Sequence, residues 1–355
     1  MNRKSGALLA AVLAAACALL LFPAQAAQGA KNGVDYSLNV LIPSLYPFMV
    51  LSVFIVKSGL SEKIGAVLEK PTQALFRLPG GAAASIVMSI VGGFPAGARS
   101  AAALVDEGLL TQAQAERMMA FCVNAGPSFL ITAVGVGFLH SARAGAILFL
   151  SQLVSFLLMG ILSGLPARGT PKVHREKQPS RCPGAARALI DSAADAAYST
   201  LMMCCLVILF AAGISLFRSA CVSAPLLSVA GSAALEVTGG CADLARAGAP
   251  LWVFALAVGW GGVCVHMQVY ACLGNVKLRR GRFLLCRLLQ GAVCAAVCRG
   301  FTLLWPPDKP TFATTDAPFH AVLSGTVPSA AALALLCVVL LFSMPHEKLE
   351  MEGTE

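Results

Sequence analysis

Apolar residues in this chain do not alternate with polar ones at the period of a strand or of a surface helix; they run on in blocks with no water-facing side. Eight blocks stand out: Ala7 to Ala27, Leu38 to Lys57, Met119 to Leu139, Ala144 to Gly164, Ala197 to Phe217, Pro250 to Cys272, Phe283 to Leu304 and Ala321 to Ser343. Crossing a hydrocarbon core of roughly 30 Å takes about 20 apolar residues in a helix, so each block reads as a transmembrane span. Two further stretches, Ala82 to Leu104 and Leu226 to Leu244, are apolar but broken by glycine and end in polar residues. They read as re-entrant or broken helices. The expected fold class is an all-α polytopic membrane protein.

The polar punctuation orients these elements, because short cytoplasmic loops retain Lys and Arg. The cluster Arg168, Lys172, Arg175, Lys177, Arg181 and Arg187 places the central loop in the cytoplasm, as Lys277, Arg279, Arg280 and Arg282 do for the loop before the seventh span. If each broken stretch enters and leaves on one side, eighteen basic residues fall inside and five outside, with Arg99, Arg287 and Arg299 left within membrane segments. Full crossing by either stretch would collapse that asymmetry. Both termini are then cytoplasmic, and the two halves share one order of elements in opposite orientation. The expectation is about eight spans plus two re-entrant or broken helices, arranged as the inverted repeat that transporters use to build a midplane site. Its divisions are a signal-anchor helix over 1–30, a first repeat over 36–165, a basic loop over 166–190, a second repeat over 191–305, an outer loop and last helix over 306–343, and a polar tail over 344–355. Arg3 and Lys4 before an apolar run ending Pro23-Ala24-Gln25-Ala26 also fit a cleavable signal peptide; the run is long enough to span, and an anchor is expected.

Composition narrows the function classes. The chain is 57% apolar and 12% charged, with a mean hydropathy of +0.78, against about 25% charged in soluble domains. Its net charge of +9 is accounted for by loops beside anionic lipid, so no nucleic-acid partner is expected. Most of the thirteen cysteines lie within apolar segments, where free cysteine behaves as a small hydrophobe. No metal or cofactor is expected, and no His-Glu-x-x-His, Gly-x-Ser-x-Gly or phosphate-binding loop is present, so no enzyme is expected. The expected partners are the bilayer and a small polar solute, with a homo-oligomer or spore-envelope proteins as further candidates.

The residues with chemistry to offer sit at the breaks. At the first tip, Gly92-Gly93-Phe94-Pro95-Ala96-Gly97-Ala98-Arg99, glycine frees the backbone and Pro95 lacks a donor, so a continuous helix is not expected there. Backbone groups exposed at membrane depth need protein or a water-filled cavity to receive them. Asn124-Ala125-Gly126-Pro127-Ser128 breaks the next span. In the second half, Glu236-Val237-Thr238-Gly239-Gly240 occupies the tip, and Gly261, Gly262, His266 and Gln268 the following span. The candidate substrate-binding set is Gly93, Pro95, Arg99, Asn124, Ser128, Glu236, Thr238, Gly239, Gly262, His266 and Gln268. Arg99 and Glu236 carry opposite charges that are costly at depth, and are expected either to pair or to bind opposite ends of a polar ligand.

These motifs, with Pro43-Ser44-Leu45-Tyr46-Pro47-Phe48 before them, make the chain resemble the YlbJ family of sporulation integral membrane proteins. That family carries the nucleoside-recognition or Gate domain also found in nucleoside transporters and in the ferrous iron transporter FeoB. The resemblance covers most of Leu38 to Phe301. It implies a role in endospore formation and a transporter-like fold, with a nucleoside-like solute by analogy only. A membrane assembly factor for the spore envelope, without transport, is the alternative it leaves open. Cys264 stands where the pattern leads one to expect a small hydroxyl residue.

Overall fold

A computed structural model describes residues 3–165, 184–221 and 223–306; the span expected over Ala321 to Ser343, the tail 344–355 and most of the central basic loop lie outside them. Every regular element among the described residues is helical. Helix α1 (Arg3–Leu21) leads into α2 (Pro23–Tyr36), where Pro23 opens the new helix. The apolar pair Val12–Leu21 and Pro23–Asn39 is bent there by 98°, so the expected straight crossing from Ala7 to Ala27 is broken at Phe22. A π-type turn, Ser37–Leu41, joins α2 to α3 (Ile42–Lys57). Helix α4 (Leu60–Phe76) follows Gly59, whose φ of 75° lies in the left-handed region. A 3-10 turn, Gly80–Ala82, opens the first hairpin, formed by α5 (Ala83–Val91) and α6 (Phe94–Asp106).

Helix α7 (Gln112–Met118) carries a reciprocal cap, Thr111 with Gln114. Beyond it the chain is irregular until a π-type helix, Ser128–Phe138, which leads to α8 (Ala142–Gly164). The second half opens on α9 (Ala185–Ala220). It continues through the hairpin α10 (Pro225–Leu235) and α11 (Val237–Arg246), the interrupted pair α12 (Leu251–Trp260) and α13 (Gly262–Cys272), and α14 (Arg280–Leu304).

Among the described residues, four helices are long and apolar enough to cross a membrane, or six if each of two bent pairs is one span. Of the eight expected spans, the one from Ala321 lies outside these residues, and two others are shortened for a local reason. Proline, glycine and polar residues cut the blocks from Leu38 and from Met119 down to the short apolar helices Leu45–Lys57 and Ser128–Phe138. Lipid provides little hydrophobic drive between helices, so close approach through small residues has to supply packing. A methyl group on Gly33 of α2 would lie 2.7 Å from the Ile208 Cα of α9, and one on Gly259 of α12 would lie 2.6 Å from the Gly291 Cα of α14. Gly135 meets Gly145 of α8 in the same way, at 2.5 Å.

Polar contacts fix where each hairpin starts and ends. The Arg117 guanidinium donates to the Arg77 carbonyl at 2.6 Å, which brings both feet of the first hairpin to one end of the bundle. At that end Glu116 accepts from Arg279 Nε and Nη2 at 2.8 and 3.0 Å, and Gln112 donates to the Lys277 carbonyl at 3.0 Å. The second hairpin closes on Arg218 at the far end of α9, where Asp243 pairs with both Arg218 and Arg246.

The Arg279 hydrogen bonds hold the Glu116 carboxyl below the usual carboxylate range. A group depressed in this way stabilises the fold above its unfolded value of about 4.3, and that contribution is lost as pH falls through the folded value. The thermal midpoint of the detergent-solubilised protein should therefore hold from neutrality to about pH 5 and fall below about pH 4.3. Glu116→Gln should lower the neutral-pH midpoint and flatten part of that acid step, read by tryptophan fluorescence.

Candidate functional site

Four interruptions of the helical backbone meet in one buried region. At the first tip Gly93 adopts φ +82°, and a methyl group there would lie 3.1 Å from Leu45 Cδ2 and 3.6 Å from the Gly126 nitrogen. The tip of the first hairpin thus lies directly on the break in the span that follows it. One residue on, the Phe94 ring reaches the other half: a methyl group on Gly261 would stand 3.5 Å from its Cε1. Gly261 and Gly262 both have left-handed φ, +85° and +79°, and Gly262 abuts the Glu236 backbone, with a methyl group there 3.1 Å from the Glu236 nitrogen and Cα. Gly93, Asn124, Glu236, His266 and Gln268 are all buried, as is Pro95 in the first turn of α6. Ser128 differs: it opens the π-type helix and is exposed.

Each break leaves backbone groups that need partners, and the candidate side chains provide several of them. Glu236 has an extended backbone and caps α11, accepting from the Thr238 and Gly239 N–H groups at 2.8 and 2.7 Å. The Thr238 hydroxyl donates to Tyr36 at 3.2 Å, which ties this cap to the N-terminal helices. His266 Nε2 lies 2.9 Å from the Trp260 carbonyl, at the end of the half-helix that stops at Gly261. A carbonyl only accepts, so Nε2 carries the proton. The ring is held edge-on between Trp260 and Phe283, at 4.3 and 5.3 Å. Gln268 donates to Cys264 Sγ at 3.4 Å, so the cysteine takes the acceptor role foreseen for a hydroxyl.

The irregular stretch after α7 is served by residues that sequence reading did not single out. Arg287, fully buried on α14, donates to the carbonyls of Ala120, at 2.9 Å, and Val123, and to the Gln290 side-chain oxygen. Gln290 in turn donates to Asn124 Oδ1 at 2.8 Å, and Asn124 Nδ2 donates to the Phe121 carbonyl at 2.7 Å. One cation and two amides therefore satisfy a segment that cannot satisfy itself. The signal in the sequence was Arg287 within an apolar run, without anything to name its partners.

Arg99 and Glu236 do not pair. Arg99 reaches Asp195 of α9 at 2.7 Å, and Lys57 of α3 joins the same carboxylate oxygen at 2.9 Å. Glu236 spends both oxygens on its helix cap, because two N–H donors at the start of α11 are nearer than any cation of the first half. Asp195 escaped notice because it lies at the edge of an apolar block, 96 positions from Arg99.

Buried breaks of this kind, served by polar side chains within a set of apolar helices, define a polytopic helical membrane protein with interrupted spans. Along 339 aligned positions, covering 84% of this chain and 82% of its relative, the sequence is 26% identical to the sporulation integral membrane protein YlbJ of Bacillus subtilis (strain 168), and the chain is in that sense YlbJ-like. No protein-family model matches the chain. No solved structure matches it either.

Replacing Glu236 by Ala strips both acceptors from α11, and loss of such a cap costs about 1–2 kcal/mol. The thermal midpoint should fall accordingly, while Glu236→Gln, which keeps one acceptor, should fall by less. Equal midpoints for wild type and Glu236→Ala would remove the cap from its structural role.

Proposed function

We propose that this chain is a sporulation-associated permease for a small polar solute, built as two inverted halves around the buried meeting point of its backbone breaks. The association with sporulation rests on the likeness to YlbJ. The observation that carries the transport reading is the contact sequence Gly126 to Gly93, Phe94 to Gly261, and Gly262 to Glu236, which joins the tips of both hairpins to the breaks in both following spans. Transporters place solute sites at such junctions because unwound backbone offers groups that a regular helix keeps to itself.

The pairing of elements supports the inverted arrangement. Helix α3 corresponds to α9, the α5–α6 hairpin to α10–α11, the broken stretch through Ser128–Phe138 to α12–α13, and α8 to α14. In each half the span after the broken one packs on it through a glycine pair, Gly135 with Gly145 and Gly259 with Gly291. The first hairpin closes at the end where Arg77, Arg117 and Arg279 gather, the second at the end of Arg218 and Arg246. The first of these ends faces the cytoplasm in this reading. Gly93, Pro95, Asn124, Thr238, Gly239, Gly262, His266 and Gln268 line or support the junction, while Arg99 stands apart on Asp195, and a nucleoside-like solute is the first to try, by family resemblance alone.

The junction is closed, with Glu236, His266 and Asn124 all bonded to protein groups. This favours, as a second reading, an assembly factor for the spore envelope that keeps the fold without moving a solute. Thermal-shift screening of the purified protein against nucleosides, amino acids, dicarboxylates and metal ions separates the two. A permease should gain several degrees with one solute class, and Asn124→Ala should lose that gain measured from its own unliganded midpoint. If no class shifts the wild type, and Asn124→Ala sporulates normally while changes over 168–187 do not, the assembly role holds. Single cysteines at Gln112 and Ala247, in a background lacking exposed native cysteines, should label from the cytoplasmic and outer sides respectively; labelling from one shared side would remove the inverted arrangement.

A further inference from the structure

Helix α4 belongs to neither hairpin, and its seventeen residues divide into three faces. With about 100° between successive residues, Ser61, Gly65, Thr72 and Phe76 share one face, and all four are buried. Phe76 locks this face down: its ring stacks on Phe121 at 5.1 Å and tilts against Phe156 at 5.9 Å. Gly65 meets Gly80 so closely that a methyl group would come within 2.7 Å of the Gly80 carbonyl carbon. A second face carries Leu60, Ile64, Val67 and Leu75. Val67 is 80% exposed, Leu60 37% and Leu75 42%, and Ile64 is half-buried between them, an apolar strip that lies open along its outer side. The third face is polar, with Glu62, Glu69 and Gln73 on the side next to the packing face, and Lys63 and Lys70 on the side turned directly away from it.

The direction of the helix gives these faces a meaning. The segment Leu60–Phe76 is bent by 93° from Gly80–Val91, which descends into the bundle as the first limb of the hairpin. With that limb along the membrane normal, as the re-entrant reading has it, a helix at right angles to it lies in the membrane plane. With one side packed on the protein, the apolar strip faces the acyl chains, Glu62, Glu69 and Gln73 face water, and the two lysines project sideways at the level of the headgroups. Glu69 is engaged by Gln73 at 2.7 Å, while no ion pair is recorded for Lys63 or Lys70 among the described residues.

We propose that α4 is a lipid-docking helix, lying in the membrane plane with Leu60, Ile64, Val67 and Leu75 at the acyl boundary and with Lys63 and Lys70 on the phosphates of anionic phospholipids. Phospholipid is the occupant, and not a protein, because the strip continues the surface of a membrane-embedded bundle and its outer margin is cationic at the end where basic residues gather. Amphipathic helices of this division bind by buried apolar area together with attraction to anionic lipid. The inference does not depend on transport.

The test uses the full chain in vesicles of phosphatidylcholine with or without phosphatidylglycerol. In a Val67→Trp variant, the emission added to that of the native tryptophans should be quenched by phospholipids brominated high on the acyl chain and not by aqueous iodide. Phosphatidylglycerol should be retained over phosphatidylcholine through purification, and each of Lys63→Gln and Lys70→Gln should reduce that preference roughly fivefold, from about 1 kcal/mol per basic residue near an anionic surface. Lys63→Arg with Lys70→Arg should keep it, and the Gln variants should unfold at the wild-type temperature in phosphatidylcholine alone. Quenching by iodide would place α4 in water. Protection from both quenchers would mean that another part of the chain or a second copy covers the strip. Equal retention of the two lipids by the wild type would remove the headgroup contact. Any of these three results overturns the proposal.

Discussion

A peptide group inside a bilayer has no water to bond, and every interruption of a helix there must be answered by protein. The fold of this chain follows from how that demand is met. The start of α11 is capped by a carboxylate two and three residues upstream, in Glu236. The half-helix ending at Trp260 is met by a histidine six residues downstream. The irregular stretch after α7 turns to a different helix altogether, where Arg287 and Gln290 supply the donors. Local demands are settled locally. The longest interruption is settled across the bundle, and so it ties α14 to the first half.

Burying an arginine without a carboxylate is costly, and the expense is tolerable only where its N–H groups find acceptors. Carbonyls freed by unwinding are such acceptors, so the two unfavourable features relieve one another. Removing either leaves the other exposed in a medium that cannot receive it. The same logic explains why Arg99 is found beside Asp195 and Lys57 rather than at the tip it follows in sequence. A carboxylate flanked by two cations needs no ligand to be neutralised.

The positions of the breaks were legible in the sequence, because glycine and proline act on the backbone wherever they stand. Gly93, Gly126 and Gly261 interrupt helices as expected. Partners were not legible. Arg287 and the carbonyls it serves lie more than 160 positions apart, and the choice between Glu236 as counter-ion and Glu236 as cap depends on which donor folding brings nearest. Where helices stop within an apolar block was less legible, because hydropathy sums a window without asking whether one helix fills it: the blocks from Leu38 and Met119 hold only the short helices Leu45–Lys57 and Ser128–Phe138. Helix α4 escaped for the converse reason: four charges and a proline hide its apolar strip from any such sum, and only its right-angled bend reveals what the strip faces.

The aromatic trio of Phe76, Phe121 and Phe156 touches three unlike parts of the molecule: the end of α4, the irregular stretch after α7, and the long helix α8. Close-packed interiors have low compressibility and transmit strain, so the three rings join these parts by direct contact. A displacement at the end of α4 bears first on Phe121, which lies three residues from Asn124. Bilayer thickness and surface charge thereby acquire a mechanical route to the innermost amides of the protein.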